Sequence, residues 1–155
     1  MNKNWKTRII CWAIPLAVGG LASLLSGTMD SYQVLNQPPL SPPGWLFPIV
    51  WTVLYVLMGE ASYRILTSGA DKALIKKALI AYGIQLFLNF LWPLFFFGGQ
   101  MYLTAFILLI ALWIAIIITA RRFSYIDETP ADLLLPYLLW VTFAGYLNLG
   151  VFLLN

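Results

Sequence analysis

The sequence predicts an all-α integral membrane protein, a five-transmembrane-helix bundle with a folded first long loop acting as a lid. Three observations carry that expectation. Of the 155 residues, 61% are hydrophobic and 10% charged, whereas soluble domains carry roughly 25% charged residues. The apolar residues fall into runs long enough to cross a bilayer, which takes about 17–25 residues as a helix. Runs such as AFILLIALWIAIIITA are apolar all round, without the alternation of a barrel strand. A helix satisfies its own backbone groups in hydrocarbon, so helices are the solution. The runs cover residues 9–26, 46–66, 79–97, 101–120 and 133–154, leaving 1–155 as a single membrane domain.

The basic residues agree with this count. Lys3, Lys6 and Arg8 precede the first span, Arg64, Lys72, Lys76 and Lys77 flank the second connection, and Arg121 and Arg122 follow the fourth span. Because Lys and Arg are retained on the cytoplasmic side, the alternation puts the N-terminus in the cytoplasm and the C-terminus outside. The net charge of +3 suits an anionic leaflet and does not imply nucleic acid.

In the first span, Pro15 predicts a kink, and Gly19, Ser23 and Gly27 form a small-residue face that reads as a helix-packing seam. Cys11 is the single cysteine, so no intramolecular disulfide forms and the residue reads as apolar packing. The loop that follows, about 27–45, contains Pro38, Pro39, Pro42 and Pro43, each of which fixes its own backbone and pushes its predecessor out of the helical region. With Tyr32, Val34, Leu35, Leu40 and Trp45 but only Asp30 charged, it lacks the composition of disorder. It therefore reads as a folded lid. Pro48 suits the first turn of the second span.

The second span places Trp51, Tyr55, Met58 and Ser62 on one face by their spacing of three and four. Glu60 and Arg64 pair at i, i+4 in its last turns, where Arg64 reaches the interface and neutralises the carboxylate; a membrane carboxylate of a small-molecule exporter is the competing reading. The third span aligns Gln85, Asn89 and Trp92. Burying side-chain amides in hydrocarbon costs several kcal/mol unless they are paired, so this face points inward. Interhelical bonding is the reading for Gln85, and Asn89 stays open between that role and ligand contact. Pro93 predicts a kink just beyond. The fourth span is plain and is assigned to lipid or a subunit interface. Before the fifth, Thr129-Pro130 and Asp132 supply helix-start chemistry, with Asp127 and Glu128 as solvated charges. The fifth aligns Trp140, the small Ala144 and Asn148, with Tyr137 one turn earlier, so a notch at Ala144 is expected.

Three motifs, PPLSPPGWLFPIVWTVLY at 38–55, GIQLFLNFLWPLFFF at 83–97 and PYLLWVTFAGYLNLGVFLLN at 136–155, resemble the translocator proteins, also called tryptophan-rich sensory proteins or peripheral benzodiazepine receptors, in a bacterial form. The resemblance implies a five-helix bundle in the cell membrane, usually a homodimer, whose pocket beneath the first loop binds porphyrins and other flat apolar ligands. It implies ligand-binding residues Tyr32, Pro42, Pro43, Trp51, Tyr55, Asn89, Trp92, Trp140, Phe143, Ala144 and Asn148. Light-driven porphyrin breakdown is attributed to the family, which makes Trp51 and Trp140 the candidate catalytic residues. Animal members carry a basic residue near the C-terminus in a proposed sterol motif. Residues 149–155 here have none, and Gln37 stands where many members have lysine before the first loop proline.

The chain contains no histidine, which excludes a His-ligated haem and the commonest general base. No metal site and no covalent cofactor is expected. The ligand or substrate that fits is metal-free protoporphyrin IX, stacked by Trp51 and Trp140 and oriented by Asn89 and Asn148. Its role is sensing, transport or light-dependent breakdown, with export or sterol-like lipid binding as the alternative.

Overall fold

The structure, a computed structural model, describes residues 3–27 and 30–155. The element order is α1 (Lys3–Ser26), a short α2 (Asp30–Gln33), α3 (Leu46–Leu66), α4 (Lys72–Pro93) running into a π-helical turn (Leu94–Gly98), α5 (Tyr102–Ser124), a short α6 (Glu128–Leu133) and α7 (Leu135–Leu154). Among the described residues there is no strand, and five helices are long and apolar enough to cross a membrane: α1, α3, α4 with its π turn, α5, and α6 with α7.

Several helices outrun the apolar stretches expected from sequence. The first begins at Lys3 rather than 9, α4 at Lys72 rather than 79, and α5 ends at Ser124 rather than 120. Each extension carries the basic residues, because a helix continues into the headgroup region where Lys and Arg reach water. The last span opens with a separate short helix. Asp127 caps α6 by accepting from the Thr129 backbone N–H at 3.2 Å, the chain turns at Leu134, and α7 restarts with Pro136 in its first turn, where the missing N–H costs nothing. Pro93 produces more than the expected kink. It ends the α geometry of α4, and the next five residues wind as a π turn, with the Gly99 N–H reaching the Leu94 carbonyl at 2.8 Å. A wider turn accommodates the ring and the lost donor.

Helix α5, expected to face lipid or a subunit interface, also packs into the bundle. Leu109, Leu112, Ile116 and Phe123 are buried against α4 and α7, while Ile107, Ile110, Ile114 and Ile118 lie on the exposed side.

At the cationic end of the bundle α1 is clamped to α3. The backbones meet at Gly59, where an added Cβ would lie 2.6 Å from the Trp12 Cα and 2.7 Å from the Cys11 carbonyl oxygen. Next to it, the Glu60 carboxylate accepts from Arg8 Nε at 3.0 Å and Nη2 at 3.1 Å, from Trp12 Nε1 at 3.1 Å and from Arg64 Nε at 2.9 Å. The pair with Arg64 is the one read from the spacing. The Arg8 fork, seated against the rings of Trp5 and Tyr63 at 4.9 and 4.6 Å, is added by the fold. A carboxylate engaged by two guanidiniums and an indole is a structural group.

The opposite end is tied by the loop. Asn36 and Asn155 exchange bonds, the Asn36 backbone N–H to Asn155 Oδ1 at 3.1 Å and Asn155 Nδ2 to the Asn36 carbonyl at 2.9 Å. The Tyr146 hydroxyl donates to the Pro39 carbonyl at 2.6 Å, and Pro38 packs where a Cβ on Gly150 would otherwise sit, 2.5 Å from its Cγ. Leu40 adopts a left-handed φ of 68°, in a turn closed by the Ser41 hydroxyl donating to the Pro38 carbonyl at 2.7 Å.

The Gly59 contact is open to a direct check. Gly59→Ala is expected to push α1 off α3 at a cost of about 1–3 kcal/mol, lowering the Tm of the purified protein in detergent. Gly83→Ala, where a Cβ meets nothing within 4 Å, is expected to hold or raise the Tm, since Ala favours a helix by about 0.5–1 kcal/mol over Gly. Equal Tm values for the two variants would show that this contact does not hold α1.

Candidate functional site

Helix α4 supplies two of the three buried amides of the bundle interior, Gln85 and Asn89, the third being Asn148 on α7. Gln85, Asn89 and Trp92 are all buried, as their common face requires. From Tyr55 on α3 a directional chain of bonds crosses the core: the Tyr55 hydroxyl donates to Asn89 Oδ1 at 3.0 Å, Asn89 Nδ2 donates to the Tyr137 hydroxyl at 2.8 Å, and Tyr137 donates to Gln85 Oε1 at 2.7 Å. One turn on, Trp92 Nε1 donates to Asn148 Oδ1 at 2.9 Å, and Asn148 Nδ2 donates to the Tyr102 carbonyl at 2.8 Å. Both ends of the Asn89 and Asn148 amides are therefore engaged within the protein. Their geometry is that of groups fixing Tyr55, Tyr137 and Trp92, rather than of free donors facing a ligand.

Aromatic side chains fill the space between this network and the loop. Trp51 stacks on Tyr55 at 5.6 Å and approaches Tyr137 at 6.3 Å and Trp92 at 6.5 Å. Phe47 bridges Trp140 at 5.9 Å and Tyr32 at 5.7 Å. Burial pushes the Tyr32 phenol above its ordinary pKa, so it stays neutral.

Two hollows lie on either side of Trp51. The larger, about 330 Å³, is walled by α1 through Leu16, Gly19, Gly20, Ser23 and Ser26, by α3 through Phe47, Trp51, Thr52 and Tyr55, by α4 through Asn89 and Trp92, and by the π turn through Phe97. The smaller, about 10 Å³, lies among Tyr32, Phe47, Trp51, Trp92, Phe97, Trp140, Ala144 and Asn148. Phe47, Trp51, Trp92 and Phe97 belong to both and form the partition. Among the described residues, no Asp, Glu, Lys or Arg lines either hollow. The Trp140 Nε1 is buried without a hydrogen-bond partner among the described residues.

The single cavity expected from sequence is thus divided. Trp51 and Trp92 touch both parts, Tyr55 and Asn89 the larger, and Tyr32, Trp140, Ala144 and Asn148 the smaller. Pro42, Pro43 and Phe143 line neither; Phe143 packs on Trp140 at 5.5 Å and Tyr146 at 6.1 Å, with its ring between neighbours. The sequence reading missed Phe47, Phe97 and all of α1. Its signal was present in Gly19, Ser23 and Gly27, read as a packing seam: Gly19 does pack against the Tyr55 ring, but the same face, with Gly20 beside it, forms a cavity wall.

An uncharged, aromatic-walled cavity inside a bundle of five membrane-length helices defines an integral membrane protein built to enclose apolar space at one end of its spans. The TspO/MBR family model matches residues 11–154. The chain is 39% identical to the tryptophan-rich protein TspO of Chlorobaculum tepidum, over all of this chain and 99% of that one. It is 34% identical to the tryptophan-rich sensory protein of Cereibacter sphaeroides, over all of this chain and 95% of that one. It is 37% identical to the translocator protein of Ovis aries, over 76% of this chain and 70% of that one. The chain belongs to the TspO/MBR family.

Tyr137 is the residue on which the network turns, since it accepts from one amide and donates to another. Tyr137→Phe leaves two buried amides short of a partner and is expected to cost about 1–3 kcal/mol, read as a lower Tm and a lower denaturant midpoint. An unchanged midpoint would mean that these bonds contribute nothing net.

Proposed function

We propose that the protein is a membrane receptor for flat, apolar, metal-free tetrapyrroles, with protoporphyrin IX as the model ligand, held between Trp51 and Trp140. The observation that carries this reading is the position of Trp51, whose indole forms a wall of both hollows. Aromatic faces offset-stack on an extended ring, each contact contributing about 0.5–1.5 kcal/mol beyond area burial. The Trp140 N–H and the Tyr32 hydroxyl, both lining the smaller hollow and without a partner among the described residues, offer such a ring two directed donors.

A cavity of about 330 Å³ is at the lower end of the roughly 300–1,000 Å³ of small-molecule sites. A macrocycle therefore takes up both hollows, and the partition yields on binding. The loop roofs the smaller hollow through Tyr32, in the manner of a lid. With the basic residues facing the cytoplasm, this end of the bundle faces outward. Chemistry on the ring by light and oxygen, with the two indoles as electron donors, is the enzymatic version of the same reading. It is supported by the short aromatic separations around Trp51.

Fluorescence titration of the purified protein in the dark tests binding. Trp51→Phe and Trp140→Phe are each expected to weaken protoporphyrin IX binding about tenfold or more. The dimethyl ester is expected to bind at least as well as the free acid, because no cation lines the site to reward propionates. Tighter binding of the free acid, or unaltered affinity in both variants, would place the ligand elsewhere. Illumination of the complex decides the enzymatic version: a new product that persists at the same rate in both Phe variants removes the indoles from the chemistry.

A further inference from the structure

The larger cavity has a mouth, and its position says how a ligand reaches it. Of the residues lining that cavity, the exposed ones are Gly20, Ser23, Gly27, Pro48 and Thr52, all on α1, at its end, or on α3. The remaining lining residues, including those from α4, are buried or half-buried. Among the described residues, none of 32–45 lines this cavity. The mouth is therefore a gap between α1 and α3 that runs from Gly27, where the loop begins, inward to Gly20 and Thr52.

Depth decides what the gap opens into. Gly20 and Thr52 each lie six residues inside their helix ends, Ser26 and Leu46, or about 9 Å at 1.5 Å per residue. The two membrane-length stretches have 23 and 21 residues, roughly 32–35 Å, against a hydrocarbon core of about 30 Å. A point about 9 Å in from the end of either helix is inside the hydrocarbon.

The two ends of the bundle point the same way. The loop is held to α7 by the Asn36–Asn155 exchange and the Tyr146–Pro39 bond, so lifting it breaks several hydrogen bonds. Along the gap, α1 offers small side chains, and a Cβ on Gly20 would meet nothing within 4 Å. From these observations we infer that the cavity is loaded sideways from the bilayer, through a portal between α1 and α3 that admits an uncharged, membrane-dissolved ring compound while the loop stays tied to α7. This rests on the cavity being the ligand site proposed above. Charged molecules are excluded by the same geometry, since the path crosses hydrocarbon and its lining carries no ionised group.

Transfer of protoporphyrin IX dimethyl ester from lipid vesicles to protein in proteoliposomes, followed by ligand fluorescence after rapid mixing, reads the portal directly. Gly20→Phe places a ring in the open space at the mouth and is expected to slow uptake and release together by tenfold or more. A double variant with Asn36→Cys and Asn155→Cys, oxidised in a Cys11→Ala background, is expected to load at the rate of its reduced form. Wild-type rates in Gly20→Phe, or loss of uptake on tying the loop, overturn the portal. If the wild-type protein takes up no porphyrin, the functional reading fails, and a second measurement decides the portal without a ligand. A nitroxide at Thr52→Cys, in the same Cys11→Ala background, is expected to collide more with oxygen dissolved in the bilayer than with a water-soluble nickel complex; the reverse preference puts the mouth in water and ends the inference.

Discussion

The rest of the structure depends on one constraint, that a polar group inside hydrocarbon must find its partner within the protein. Helix α4 brings two amides and an indole N–H into the core on one face, and the other helices meet all of their polar atoms except Gln85 Nε2, which has no partner among the described residues. Tyr55 fixes α3 to α4, Tyr137 and Asn148 fix α7 to α4, and the Tyr102 carbonyl draws in the start of α5. Interhelical hydrogen bonds in membranes are individually modest, about 0.6–2 kcal/mol. Their value here lies as much in direction, since each one fixes a rotation about a helix axis that apolar packing alone leaves loosely set.

The same closure gives the cavity its chemistry. With the Asn89 and Asn148 amides engaged by Tyr55, Tyr137, Trp92 and the Tyr102 carbonyl, the hollows are walled mainly by rings, small side chains and amides already bonded, and no charged side chain lines them among the described residues. Its location follows from α1, the one span with no part in that central network. Helix α1 is held at the cationic end by Gly59 and the Glu60 clamp, and toward the other end its glycines and serines leave a gap against α3 and α4 that the remaining spans have already filled among themselves.

The fold was legible in the sequence because hydrocarbon length and the placement of basic residues are local, additive signals. The inward face of Gln85, Asn89 and Trp92 was legible for the same reason that it is costly. What those amides do was less legible: a hydrogen-bonding side chain in a membrane serves glue and ligand equally well until its partner is known, and the partner of Asn89 lies 48 residues away in Tyr137. The division of the cavity was hidden by distance too, since Trp51 and Trp140 share a cluster through the intervening Phe47. The loop prolines announced order, yet Pro42 and Pro43 fall outside the walls because the turn at Leu40 directs Pro38 and Pro39, not the later pair, onto α7.

The partition between the hollows has unequal members, and on the receptor reading proposed above this sets how the site would open. Trp92 is held by its bond to Asn148, so moving it leaves a buried acceptor without its donor, at about 1–3 kcal/mol. Phe47 and Phe97 have no polar atom to strand, and the Trp51 indole is held, among the described residues, by ring stacking and edge packing on Tyr55, Trp92 and Tyr137. Stacking that a ring gives up against its neighbour is recovered against a ligand of the same character, whereas a broken hydrogen bond is not. Widening the site therefore falls to Phe47, Phe97 and Trp51, with Trp92 as the fixed post. On the receptor reading proposed above, the indole that separates the two hollows would become the surface on which the ligand ring rests once they join.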